Sequence, residues 1–383
     1  MTSRQFYIML FVITISLKVQ KLPSLVAFSL GKDSYLLVLC FLIINLLMIA
    51  LAFFVLKRTQ NLTFSNTEKS VVLNIFKKVI SIGLVFYFLS QSLLLYESIQ
   101  NLFAHVLFYE LPWTLFSLML TAAVFFLAFT GIKNIALGFE LYAFVIIVSY
   151  IIISIFGGSK ADFASVLPFE TIDFKAIGEG LVDFNLWFGD FFLVLFVGKN
   201  AKHIKFKWTA LVYAVAMIFV TLLFVEFFGI YQSYTPMKPS LISVLSEQSM
   251  LGVNIGRIDW FFILFTEIGT ILSSGAFLYF ASKCLNFVFP KVKRKYLLVA
   301  LTIAIYFIDI VYLVDLHAQK QLFIETAKYI VLALKAVVMV LLVAVALCRK
   351  KESKSVFENH NSKKQVLTKL KPVKLKQQKA GDK

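Results

Sequence analysis

Apolar residues run along this chain in ten segments separated by short polar stretches: residues 5–30, 34–56, 75–107, 112–131, 135–156, 176–198, 206–231, 258–289, 296–315 and 322–348. A helix needs about 20 apolar residues to cross a bilayer, whereas the strands of a membrane barrel alternate in much shorter segments. The pattern predicts an all-α polytopic membrane protein with ten transmembrane helices. Spans 3 and 8 are longer than a crossing requires, so they tilt or project beyond the bilayer. The transmembrane domain covers 1–348, and the polar remainder, 349–383, is a disordered basic tail. Span 1 is too long, and too poor in small-residue cleavage signals, for a secretory signal peptide, so it stays in the mature protein.

Charge in the loops tests this count. Lys57, Arg58 and Lys69 fall between spans 2 and 3, with Lys77 and Lys78 at the start of span 3, and Lys133 falls between 4 and 5. Lys199, Lys202, Lys205 and Lys207 follow span 6, and Lys291, Lys293, Arg294 and Lys295 follow span 8. The alternate loops carry the acids Asp33, Glu110, Asp162, Glu170, Asp173, Glu247 and Asp315. The positive-inside rule then sets both termini in the cytoplasm. One outer connection, 232–257, contains Pro236, Pro239 and Gly252 and forms either a short surface helix or an ordinary loop.

Composition agrees: 60% of residues are hydrophobic and 42 are phenylalanine. The net charge of +17 is uneven, because residues 349–383 hold 12 Lys+Arg and 3 Asp+Glu, or +9, leaving +8 for the first 348. On a membrane protein such a tail favours anionic lipid, at about 1 kcal/mol per basic residue, over nucleic acid. Cys40, Cys284 and Cys348 lie in or at apolar spans and read as packing residues, with no disulfide or metal spacing. The four histidines are scattered, no glycine loop for phosphate is present, and no carboxylates are arranged as an acid/base pair. The chain reads as a non-enzyme without a cofactor or metal.

Two spans are interrupted. Span 1 contains Ser16-Leu17-Lys18-Val19-Gln20-Lys21-Leu22-Pro23, and span 6 contains Asn185-Leu186-Trp187-Phe188-Gly189-Asp190. A charge at a helix centre costs roughly 2.5–3.5 kcal/mol on insertion scales, and proline removes a helical hydrogen bond. Irregular backbone at that depth needs protein or water around it. These are the first spans of two five-span halves, and matched interruptions of that kind point to a transporter binding site. The plainer alternative is that Pro23 and Gly189 only kink continuous helices.

Glu97, Glu140, Glu226, Glu267, Asp309 and Lys335 also fall within spans. Glu97, Glu140 and Asp190 have a depth suited to pair with Lys18 and Lys21, while Glu226 and Asp309 lie near segment ends and reach for the interface. Such pairs either cancel one another or hold a polar ligand or proton. Ser273 and Ser274, between Gly269 and Gly275, read as close helix packing first and pocket lining second. The candidate ligand-binding set is Ser16, Lys18, Gln20, Lys21, Glu97, Asn185, Phe188, Gly189, Asp190 and Ser273.

Short motifs occur in a telling order: Thr2-Ser3-Arg4-Gln5-Phe6, Leu22-Pro23-Ser24-Leu25-Val26-Ala27, Gly31-Lys32-Asp33-Ser34-Tyr35, Phe188-Gly189-Asp190 and Arg257-Ile258-Asp259. Over residues 2–348 the chain resembles the B subunits of spore germination receptors (the GerAB family). That family is similar to a branch of the amino acid–polyamine–organocation transporters. The resemblance implies a LeuT-like fold of two inverted five-helix repeats, with a central site between broken spans 1 and 6. It also implies a subunit of the spore inner membrane that senses a small, amino-acid-like germinant beside A and C receptor subunits. A proton-coupled amino-acid permease of the cell membrane is the alternative role. The chain departs from the family at Lys18 and Lys21, where small and apolar residues are usual. A lysine there could replace a coupling cation, neutralise an acid such as Asp190, or reject cationic ligands.

Overall fold

The computed structural model describes residues 1–58, 71–103, 112–166, 172–197, 204–237, 259–310, 324–340 and 343. The tail and most of the 232–257 connection lie outside them, as do the ends of spans 9 and 10. All regular structure among the described residues is helical. The helices are α1 (Ser3–Val19), α2 (Leu22–Leu30), α3 (Ser34–Arg58), α4 (Val71–Leu102), α5 (Trp113–Thr130) and α6 (Ile132–Gly158). They continue with α7 (Phe174–Asp183), α8 (Phe191–Val197), α9 (Phe206–Tyr231), α10 (Asp259–Val288) and α11 (Arg294–Ile308), and end with α12 over residues 324–340. Five runs are long and apolar enough to cross a membrane: Leu22–Phe54, which includes the turn at Gly31, Lys78–Gln100, Ile132–Ile155, Phe206–Tyr231 and Ile263–Val288. The pair α7 and Asn185–Val197, bent by 57°, makes a sixth if counted as one span. Outward faces stay apolar at Leu47, Phe126 and Phe144, as contact with lipid rather than water would allow.

Local chemistry explains where the first span breaks. Thr2 starts α1 with a capping box, its hydroxyl accepting from the Gln5 amide while the Gln5 side chain accepts from the Thr2 amide. The helix stops at Gln20, whose ψ of −87° is not helical. Pro23 stands in the first turn of α2. It has no N–H to give the Val19 carbonyl, so the two helices cannot join. At the far end of α2, Gly31 takes a φ of 56°, a conformation that only glycine adopts freely. A short 3-10 turn, Gly31–Asp33, then leads into α3.

The sixth span breaks differently. Asp173 caps α7 by accepting from the amides of Lys175 and Ala176 at 2.9 and 3.0 Å. After Asp183 the chain narrows to a 3-10 turn, Asn185–Trp187, and Phe188, with ψ of 57°, is neither helical nor extended. The chain resumes as α8, whose first bonds run from Phe192 N to Gly189 O and from Leu193 N to Asp190 O, both at 3.0 Å. Both segments interrupt the helix: residues 20–21 separate α1 from α2, and residues 184–190 separate α7 from α8, the second with the 57° bend.

The long helices α4 and α10 pack together along much of their length and frame the breaks. Small residues permit the approach: the hydroxyls of Ser92 and Ser274 meet at 2.7 Å, and on another side of α10 a Cβ on Gly275 would sit 2.8 Å from Leu127 Cβ of α5. Helix α1 lies against α6, α9 and α10, and α3 against α8 and α9. Gly189 has the least room. A Cβ there would stand 2.3 Å from the Tyr87 hydroxyl and 2.6 Å from its ring carbon.

Gly189→Ala is therefore expected to lower stability by about 1–3 kcal/mol through overpacking, read as a drop in thermal midpoint in detergent. In a Tyr87→Ala background, itself less stable than the parent, Gly189→Ala should cost less than it does in the parent. A Gly189→Ala protein as stable as the parent would contradict this contact.

Candidate functional site

The two breaks meet through charge. Lys18, in the last turn of α1, donates to both oxygens of Asp190 at 3.0 and 2.8 Å. Lys18 is 0% exposed and Asp190 2%. Tyr213 from α9 donates to Asp190 Oδ2 at 3.2 Å, and Thr14 to Oδ1 at 3.4 Å. The ammonium also donates to Thr14 O at 3.4 Å and lies 5.3 Å from the centre of the Phe188 ring. Asp190 sits at the point where α8 is about to restart, so its side chain turns back to the end of α1. Burying two such ions costs several kcal/mol each, and only mutual pairing plus further hydrogen bonds offsets it.

The next polar residues of the first break pair with the framing helices. Gln20 donates to Glu267 Oε1 of α10 at 2.5 Å, and Lys21 forms a salt bridge to Glu97 of α4. Lys21 keeps 29% of its side chain exposed, so this pair is wetter than the first. One lysine thus neutralises Asp190, and the other neutralises Glu97.

The second break is satisfied through its carbonyls, which must find donors where water is scarce. Lys335 of α12 donates to the carbonyls of Asn185 (2.5 Å) and Phe188 (3.0 Å). Gln91 of α4 donates to Leu186 O at 2.7 Å. The Asn185 amide donates to Val182 O at 2.7 Å and Lys328 O at 3.0 Å. An ammonium and two amides thus take the place of the missing helical N–H groups.

The structure brings together Lys18, Gln20, Lys21, Glu97, Asn185, Phe188, Gly189 and Asp190 from the sequence-derived set. It sets two members apart. Ser16 meets the Tyr150 hydroxyl of α6 at 3.4 Å, and Ser273 donates to Gly269 O of its own helix at 2.7 Å. Other expectations need correction. Glu140 pairs with Arg4 at 3.3 Å and accepts from Gln5 at 2.9 Å, so neither lysine of span 1 reaches it. Glu226 and Asp309 do not reach an interface. Both are buried, Glu226 accepting from Ser154 at 2.6 Å and Asp309 from Gln100 at 2.6 Å and from Ser117. The sequence reading gave no site role to Lys335, Gln91, Thr14, Tyr213 or Glu267. A polar residue inside an apolar run was the only signal for them.

Comparison with known proteins adds one result. A family model described as spore germination protein matches residues 1–317. No curated protein sequence matches the chain. Residues 1–317 take in both breaks and every residue of the Lys18, Lys21 and Gln20 contacts, while Lys335 lies beyond the match.

Removing one member of the buried pair, by Lys18→Met, should cost about 3–5 kcal/mol. The double change with Asp190→Asn should cost less than the sum of the single changes by about 0.5–3 kcal/mol. Lys21→Met should cost less than Lys18→Met, because its pair is partly solvated. Thermal unfolding in a fixed detergent checks all three, and strictly additive losses for Lys18 and Asp190 would refute the coupling.

Proposed function

We propose, from the premise that this chain belongs to the spore germination protein family, that it is a receptor subunit sensing a small amino-acid-like germinant. The family makes it a germination-related, transporter-like protein, and its apolar helices make it a membrane protein. The finer reading is ours: ten crossings with both ends in the cytoplasm, in two inverted five-helix repeats. The germinant would sit between the broken helices, and the A and C subunits of a receptor would be the partners. The basic tail would rest on anionic lipid.

The observation that carries this reading is the ion pair between the breaks, Lys18 on Asp190 at 2.8 Å. A zwitterion carries the same two charges as the pair. Its carboxylate can take Lys18 and its ammonium Asp190, so binding exchanges one set of charge-assisted contacts for another. With the pair opened, α1 and α8 are free to shift relative to each other. A ligand moves that equilibrium only by its different affinity for the two arrangements, and the moved helices would signal to partner subunits. Lys21, which keeps 29% of its side chain exposed, marks the side from which a solute would enter.

A permease would use the same residues at the breaks, so transport separates the two. Proteoliposomes containing this chain alone, given labelled amino acids and an imposed proton gradient, should show no concentrative uptake. Germination of spores carrying Lys18→Met or Asp190→Asn should lose its response to nutrient while the chain remains in the membrane. Concentrative uptake by the chain alone would establish the permease instead.

A further inference from the structure

A cavity of about 370 Å³ opens on the other face of the second break, between α3, α7 and α12. Phe188 separates it from the ion pair. Its ring stacks on Phe41 of α3, centroid to centroid 3.8 Å, while Lys18 lies over it at 5.3 Å. The walls are almost wholly hydrocarbon, and the polar residues among those lining it are Asn45, Asn185 and Lys335. Asn45 donates to Phe41 O of its own helix at 3.0 Å.

Two polar groups at this cavity have capacity left over. Lys335 is nine-tenths buried and has three N–H donors. Two of them hold the carbonyls of Asn185 and Phe188, which leaves one. Asn185 is also nine-tenths buried. Its two amide hydrogens are engaged by Val182 O and Lys328 O, which fixes the flip of the amide, since the reverse would set oxygen against oxygen. The amide oxygen, Oδ1, is then without a partner among the described residues, and a buried acceptor left bare is costly.

The geometry points to a binding site for a small amphiphile with an apolar body and a neutral hydroxyl-bearing head. An alcohol or protonated carboxyl oxygen can accept from Lys335 and donate its proton to Asn185 Oδ1, which satisfies both leftovers at once. An alkylammonium has no acceptor and meets the Lys335 charge, so it is rejected. A zwitterionic amino acid finds no anion to match its ammonium. The volume lies at the small end of ligand pockets, which run from about 300 to 1,000 Å³. The site is separate from the germinant site proposed above and does not depend on it. Because the head contacts the same lysine that holds the Asn185 and Phe188 carbonyls, an occupant acts directly on the second break. The same chemistry is offered by a single-chain hydroxyl lipid of the membrane, such as a fatty alcohol, and by a water-borne alkanol.

The test uses the full chain in phosphatidylglycerol nanodiscs and a photoreactive 1-decanol, with labelled positions mapped by mass spectrometry. Labelling is expected to saturate, to fall on α3 and α12 around the cavity, and to be displaced by 1-decanol but not by decylamine. Ala336→Trp, which fills the cavity, should weaken it by at least about tenfold; Met339→Trp serves as well if that variant does not fold. Mass spectrometry of protein taken from its native membrane separates the sources. A retained hydroxyl lipid that 1-decanol displaces marks the lipid source, and saturable decanol binding with none retained marks the water-borne one. Labelling that never saturates, is spread over lipid-facing helices, or is unchanged by the filling variants would overturn the proposal.

Discussion

Two helices lose their regular winding in the interior of this protein, where most of the polar side chains beside the breaks are buried. Every consequence of the structure traces to how those broken ends are satisfied. At the first break the answer is side-chain charge: Lys18 on Asp190, Lys21 on Glu97, Gln20 on Glu267. At the second it is donation to bare carbonyls, by Lys335 and Gln91. The Lys18–Asp190 ion pair, backed by Thr14 on the same carboxylate and by the Phe188 ring under the ammonium, joins one break to the other. An unpaired ion at that depth is so costly that the pair both holds the breaks together and sets what a ligand must replace.

Satisfying the breaks in this way recruits helices from far along the chain. Asp190 accepts from α1 and α9, and the carbonyls of Asn185, Leu186 and Phe188 are held by α4 and α12. The ion pair is therefore tied to its surroundings on several sides, and a change at Asp190 is felt by α1, α8 and α9 together. That is the mechanical requirement for a sensor. It also suits a carrier, which is why fold and family do not by themselves separate the two roles.

Much of this was legible in the sequence, for a physical reason. An apolar run of about 20 residues has few readings other than a membrane helix, and two lysines beside a proline inside such a run demand a partner. Lys18 and Asp190 stood out because charge and helix breakage coincide at both. What stayed hidden was contact with backbone. A carbonyl has no letter of its own, so nothing marks Lys335 and Gln91 as its donors. Glu226 and Asp309 misled because position along a span fixes depth but not which face a side chain takes. The partners of Ser16 and Ser273 were not legible either, because a hydroxyl satisfies itself easily, on Tyr150 or on its own helix. Glu140 sat at a plausible depth, yet Arg4 and Gln5 of α1 reach it first.

The central claim is a direct ion pair between the ends of the two breaks, and magnetic resonance can see it in lipid without altering the site. With lysine side chains labelled in 15N and aspartate carboxyls in 13C, rotational-echo experiments measure the dipolar coupling between them. A strong coupling, fitting an N–O contact of 2.8 Å and absent from the Asp190→Asn protein, is the result expected. A spectrum in which no lysine nitrogen couples to the Asp190 carboxyl would contradict it, and with it the reading of how the two broken helices are held.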